Sequence, residues 1–251
     1  MLNAQRKQQI LDRLRADGQV SVTTLSREWG VSEDTVRRDL RDLSEEGLVL
    51  RVHGGALPAS PAVGDYQRRE SLSTEVKARL GAAAARLIRT GQVVAIDGGT
   101  SNLQLVRALP PGLSFTVVTH SPLIAAELRA FPLVDILLVG GKIFRHSQVA
   151  VGSETAEAVS RVRTDLFFLG ATGLRVDTGA TTGDWEEAAV KRAFCRGAAE
   201  TVLLVTPEKW GAASPYQIVP AHALTRLVVD ESTAEPSLEP FRQLGLEVVR
   251  A

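Results

Sequence analysis

The sequence predicts an α/β protein: a small N-terminal winged helix-turn-helix domain followed by a mostly parallel α/β domain. Three observations lead there. Val31 to Leu43 reads as a tight turn feeding a helix with cations on one side and apolar residues on the other. Residues 57–64 are small and proline-bearing. Beyond them, short apolar runs alternate with helical patterns, the mark of a parallel sheet covered on both faces.

In order, Ile10, Leu11 and Leu14 give a first helix ending at Asp17-Gly18, and Val22 to Trp29, with Leu25 inside, a second ending at Gly30. Ser32 can cap the third, with Glu33 and Asp34 in its first turn, where negative charge suits the helix dipole. Val36, Leu40 and Leu43 follow at i, i+4 and i+7 and face a core, leaving Asp34, Arg37, Arg38 and Arg41 on the other side. Helix, helix, turn, helix is the helix-turn-helix order. Gly47 stops the third helix, and Leu48 to Ala56 reads as a hairpin, the wing. Thr35, Arg37, Arg38 and Arg41 would then meet a major groove, with Ser32 near the backbone and Arg51 and His53 at the backbone or minor groove. On spacing alone an ordinary amphipathic helix with a solvated charged face is the better reading of the third helix, and its neighbours change that; Gly54-Gly55 could equally be a simple turn or domain exit.

The expected division is a winged helix-turn-helix domain at 1–57, a linker at 58–74 and a ligand-binding and oligomerisation domain at 75–251. In the last, a helix runs from Ser73 or Thr74 to about Arg89. Strand candidates are Val93–Ile96, Phe115–Val118, Ile136–Val139, Leu166–Leu169, Val202–Val205 and Leu227–Val229, with helical stretches near 102–109, 122–131, 154–162 and 186–198. Ligands of such sheets bind beyond the carboxyl ends of the strands. Those ends are small and polar: Asp97-Gly98-Gly99-Thr100-Ser101-Asn102, Thr119-His120-Ser121, Gly140-Gly141-Lys142, Gly170-Ala171-Thr172-Gly173, and Thr206 to Trp210 with Lys209. Glycines ahead of a helix let backbone N–H groups converge on an anion, and hydroxyls and a lysine add donors. One such turn is weak; together they favour a phosphate pocket. Trp185 and Trp210 either flank that pocket or serve packing.

Charge neither proves nor opposes nucleic-acid binding. The chain carries 29 Lys and Arg against 29 Asp and Glu, and residues 1–57 balance nine against nine. Affinity for DNA must therefore come from where the arginines point, and would fall steeply with salt. A single cysteine, Cys195, excludes an intramolecular disulfide. The N-terminus is polar where a signal peptide is apolar, and no apolar run is long enough for a bilayer, so a cytoplasmic protein without membrane association is expected. No metal site or cofactor is expected.

The linked set Val31-Ser32, Thr35 to Leu40, Leu43, Gly47-Leu48 and Arg51 to Ala56 resembles the DeoR family of bacterial transcriptional regulators. The resemblance extends over the rest of the chain: Asp97 to Ser101 match the family's aspartate-glycine-threonine loop, Thr119 to Ser121 its threonine-asparagine-serine turn, Gly140-Gly141 its glycine pair, and Glu187 to Ala193 its Glu-Ala-x-Val-Lys-Arg-Ala helix. It implies a sensor domain similar in fold to ribose-5-phosphate isomerase and glucosamine-6-phosphate deaminase. It also implies a dimer or tetramer that represses a sugar or polyol operon and leaves double-stranded operator DNA when a phosphorylated sugar binds. Glu187 and Lys191 join the effector residues on this ground. Two positions depart: His120 stands where the family usually has asparagine, and Thr206 where it usually has aspartate. His120 either donates to the effector, making the response pH-dependent near neutrality, or is a satisfied turn histidine. Asp97, Glu187 and Lys191 are also groups that an aldose–ketose isomerase uses, which makes a sugar-phosphate isomerase activity the rival reading. Against it, Glu187 and Lys191 at i, i+4 can form a plain salt bridge.

Overall fold

The computed structural model describes residues 2–60 and 66–251, so Pro61 to Asp65 of the expected linker lie outside the described residues. The N-terminal part runs α1 (Asn3–Asp17), β1 (Val20–Ser21), α2 (Val22–Trp29), α3 (Glu33–Glu45), β2 (Val49–Val52) and β3 (Gly55–Pro58). The three strands form an antiparallel sheet in the order β1-β3-β2. Ile10, Leu14, Leu25, Val36, Leu40 and Leu43 close its core. A charged residue joins them: Asp39 is 1% exposed, and Arg6 of α1 reaches it through both Nε (2.7 Å) and Nη2 (3.1 Å). This two-pronged pair locks α3 against α1, so the aspartate braces the helix whose arginines face outward.

The connection carries a short helix that the sequence reading lacks, α4 (Tyr66–Ser71), followed by α5 (Thr74–Ala85). Next come β4 (Val93–Ile96), α6 (Thr100–Arg107), β5 (Phe115–Thr119), α7 (Pro122–Leu128), β6 (Val134–Leu138), β7 (Lys142–Phe144), β8 (Val149–Val151), α8 (Ser153–Ser160) and β9 (Thr164–Leu169). The chain ends with β10 (Gly173–Arg175), β11 (Gly179–Thr182), α9 (Trp185–Gly197), β12 (Ala198–Val205), β13 (Tyr216–Val219), β14 (Arg226–Val229), α10 (Glu235–Gln243) and β15 (Glu247–Arg250). Seven strands form one sheet in the order β15-β14-β12-β9-β4-β5-β6, and every neighbouring pair is parallel.

Alternation along each strand supplies two cores. Phe167 packs on one face with Val190, Phe194 and Leu203, while Phe168 packs on the other with Leu80, Ile96, Val106 and Leu204. The order matters for function. From β4 the chain steps outward through β5 to β6, then returns to lay β9 on the other side of β4. The carboxyl ends of β4 and β9 therefore face a crevice where the connections part, the place where such sheets take ligands.

The two parts touch through few polar contacts. Arg175 Nη1 donates to the carbonyls of Gly18 (2.8 Å) and Gly211 (3.2 Å), and Ala213 N–H donates to the Pro58 carbonyl at 3.3 Å. The outer edge of the large sheet, β6, exposes Ile136, Leu137 and Leu138, with Leu133 beside them. Among the described residues no helix is long and apolar enough to cross a membrane.

Candidate ligand cavity and DNA-reading helix

Helix α3 begins where Ser32, with extended backbone, accepts a hydrogen bond from Thr35 N–H (3.2 Å) and pairs its hydroxyl with that of Thr35 (2.9 Å). Apolar residues at every third or fourth position bury one side. The opposite side leaves Arg37, Arg38 and Arg41 exposed. Arg37 lies 2.7 Å from Glu33, itself held by Thr23 at 3.0 Å, a half-exposed pair worth little and easily exchanged for a phosphate. Arg51 on β2 and His53 at the hairpin turn are exposed as well.

The second site lies at the crevice between β4 and β9. A narrow cavity, partly open to solvent, is bordered by the Gly98 to Asn102 loop, Gly170 to Thr172, Glu187, Lys191 and Lys209. Asp97, fully buried at the end of β4 and expected to touch a ligand, stands behind the cavity wall and does not border it, but it holds the wall in place. Its carboxylate accepts from Gly170 N–H at 2.7 Å and His120 Nε2 at 2.7 Å, and lies 3.2 Å from Lys191 Nζ. A side chain at 170 would begin 2.9 Å from that carboxylate and 2.7 Å from the Gly98 carbonyl, so only glycine fits there. Lys191 also reaches Glu187 (3.2 Å) and donates to the Gly170 carbonyl (2.7 Å), and Thr182 donates to Glu187. Asn102 Nδ2 donates to the carbonyls of Asp97 (3.1 Å) and Phe168 (2.9 Å), tying the start of α6 to both strands.

Burial alone would push the Asp97 and Glu187 carboxyls up, but Lys191 together with the hydrogen bonds each carboxylate accepts outweighs it, and both lie below the usual range. Burial would likewise lower Lys191, and its two carboxylates raise it instead. Lys209 differs. Its Nζ donates to the Leu204 carbonyl (2.8 Å), and burial, assisted by Lys77, Lys191 and Arg69 against Glu208, pulls it down to about 7.

Several expected residues stand elsewhere. His120 turns both nitrogens inward, Nε2 to Asp97 and Nδ1 to the Ala150 carbonyl at 2.7 Å, so it supports Asp97 from behind and does not border the cavity. Thr119 donates to the Ile96 carbonyl (2.6 Å), and Ser121 caps α7, both fully interior. Gly140 and Gly141 sit at the turn after β6, where Thr155 donates to the Gly140 carbonyl, away from the cavity. Trp185 packs edge-on to Tyr216 and Trp210 to Phe241; neither borders it. Conversely, Arg69, Lys77, Ser147 and Glu208 line the cavity and were missed. For Lys77 a signal existed: it shares the i, i+3, i+7 face of α5 with Leu80 and Ala84, so a polar residue falls on an apolar stripe. No group of three His, Cys, Asp or Glu side chains among the described residues is placed to hold a metal.

The model of the DeoR C-terminal sensor domain matches residues 72–231, and that of the DeoR-like helix-turn-helix domain matches residues 6–61. The chain is 30% identical over 250 residues to a putative aga operon transcriptional repressor of Escherichia coli O157:H7, covering 98% of this chain and 93% of that protein. It is 33% identical over 252 residues to the HTH-type transcriptional regulator GlpR of Haloferax volcanii, covering 99% and 98%. To the glycerol-3-phosphate regulon repressor of Escherichia coli K12 it is 32% identical over 212 residues, 84% of each chain. Among solved structures, a probable sor operon regulator from Shigella flexneri aligns with a TM-score of 0.46 at 15% identity, over 67% of this chain and 91% of that one. An outward-facing arginine helix, a parallel-sheet crevice and two adjoining domain matches that together span nearly the whole chain place this protein in the DeoR family of DNA-binding transcriptional regulators.

Proposed function

We propose that the protein represses an operon for sugar or polyol catabolism and leaves its operator when a phosphorylated pathway intermediate enters the cavity at the β4–β9 crevice. The observation that carries this is the pairing of a cation-lined cavity at the sheet crevice with a helix-turn-helix module on one chain. A relative named for the glycerol-3-phosphate regulon supports a phosphorylated ligand. Ser32, Thr35, Arg37, Arg38, Arg41, Arg51 and His53 would contact the duplex. The Gly98 to Asn102 loop, Thr172, Lys191 and Lys209 would contact the ligand. A second copy of the chain would dock on the apolar β6 edge, pairing two half-sites.

The isomerase reading is less favoured. Proton shuttling calls for a carboxylate that titrates near neutrality. Asp97 and Glu187 are both held below their usual range by Lys191 and the hydrogen bonds they accept. The test is fluorescence anisotropy of a labelled fragment from the promoter of the protein's own operon, titrated with protein and then with sugar and polyol phosphates and their unphosphorylated parents. Salt-sensitive binding relieved only by a phosphorylated compound is expected. Binding that none relieves refutes the effector assignment, and turnover of a sugar phosphate refutes the purely regulatory one.

A further inference from the structure

Arg37, Arg38 and Arg41 all stand on the exposed side of α3, but they are not equivalent. Arg37 Nη2 donates to Glu33 Oε2 at 2.7 Å, whereas among the described residues Arg38 and Arg41 make no ion pair. The other carboxylate oxygen, Oε1, accepts from the Thr23 hydroxyl at 3.0 Å. Both oxygens of Glu33 are thus engaged. Arg37 first and Thr23 second hold its carboxyl below the usual range, so it is charged near neutrality.

The three tethered residues come from two helices. Glu33 and Arg37 are one turn apart on α3, and Thr23 lies in the first turn of α2, which Ser21 caps. The tether therefore fixes the aim of Arg37 against both helices, while Arg38 and Arg41 swing on their own stems. It uses one of the guanidinium's N–H donors and leaves enough for the O6 and N7 of a guanine. The first residues of such a helix are the ones that meet base edges. A carboxylate is costly there, because it repels every phosphate it approaches. Compensation of the helix dipole does not call for it, since Asp34 occupies the same turn.

Resting on the duplex contacts proposed above, we propose that Glu33 is a specificity-determining residue, which positions Arg37 for a guanine edge and opposes its use on a phosphate. On the right sequence Arg37 keeps Glu33 and reaches the base with its remaining donors. On a wrong sequence Arg37 gains a phosphate only by leaving Glu33, whose charge then faces the polyanion uncompensated. An ion pair that adds little to folding in this way separates two modes of DNA binding. Thr23 acts through Glu33, by holding the carboxylate in place.

The test uses full-length protein and a pool of random-sequence duplexes, from which wild type selects its preferred site. Affinities for that site and for a scrambled duplex of equal length are then read by fluorescence anisotropy over a range of salt. Glu33→Gln keeps the reach and loses the charge, Glu33→Asp keeps the charge and loses the reach, and Thr23→Val loses the hydroxyl alone. Glu45→Gln, which removes the same charge at the exposed far end of α3, is the control. Glu33→Gln should bind the scrambled duplex more tightly, with a salt slope steeper by about 0.9, because Arg37 is freed to neutralise one more phosphate. Its preference for the selected site should fall by about tenfold or more. Glu33→Asp should lose preference at one G·C position without that gain on the scrambled duplex, and Thr23→Val should lose part of it. The control should keep the preference of wild type. Equal changes on both duplexes in Glu33→Gln, or a Glu33→Gln that behaves as Glu45→Gln does, overturn the proposal. Should Arg37→Met and Arg38→Met weaken the selected site while every Glu33 variant keeps its preference, the duplex contacts of α3 stand and the role of Glu33 falls. Arginine variants that bind as wild type does, or a wild type that selects no sequence, overturn both.

Discussion

Lys209→Met isolates the electrostatic cost built into the cavity. The lysine is 7% exposed, and burial pulls its ammonium from 10.5 to about 7. In the unfolded chain it keeps its proton to about 10.5. Between those values the unfolded state holds a proton that the folded state lacks, so this group makes stability rise with pH from about 7 to about 10.5 and level off above. Below 7 the full penalty applies. At about 1.36 kcal/mol per pH unit, that penalty is roughly 5 kcal/mol. Methionine removes it and also removes the bond to the Leu204 carbonyl, worth about 1–2 kcal/mol. The variant should therefore be more stable than wild type by about 3 kcal/mol below neutrality, and the advantage should vanish or reverse at alkaline pH. Urea denaturation of both proteins below, within and above the window measures the difference. A stability difference independent of pH would refute the argument. Phosphate should bind wild type with proton uptake, and the variant with less.

Other outcomes follow from the same geometry. Arg38→Ala should weaken operator binding by about 1–3 kcal/mol if it reads a base, with ligand affinity intact; anisotropy with unchanged affinity would remove Arg38 from the interface. Asp39→Ala should cost about 3 kcal/mol, because it strands Arg6 in a site shaped for an ion pair. The double change Arg6→Met with Asp39→Leu should recover much of this, and urea unfolding that shows no such recovery refutes the brace. Leu137→Asp on the β6 edge should reduce the oligomer measured by sedimentation; an unchanged mass would move the interface elsewhere.

The parts legible in the sequence are those whose signal is local. Ser32 with Val36, Leu40 and Leu43 announces α3 because cap and periodicity lie within one helix. The strands β4, β5, β9, β12 and β14 read well because each is an apolar run buried on both faces. The β10, β11 and β13 sheet escaped because its strands hide glycine, alanine and threonine, such as Gly179-Ala180-Thr181-Thr182, with no apolar run to mark them. Helix α10 escaped because Pro236 and Pro240 interrupt its pattern. At the cavity, Lys191 in the wall and Asp97 behind it were visible as helix and strand-end motifs. Arg69 and Glu208 were not, since each enters only through packing between segments distant in sequence.

Arg175 bridges the first helix and the sheet domain with one guanidinium, and the neighbouring Ala213–Pro58 bond adds little more. At about 1 kcal/mol net per such bond, these two contacts contribute little to the docking of the two domains. Converting nearly all molecules from one arrangement to the other takes about 5.5 kcal/mol of differential affinity, which is within the reach of a single well-held phosphate. Linkage then runs backwards as well. Under the proposed function, operator DNA would weaken the ligand by the same factor by which the ligand weakens the operator, so a protein already seated on its site would be harder to release by ligand than one free in solution.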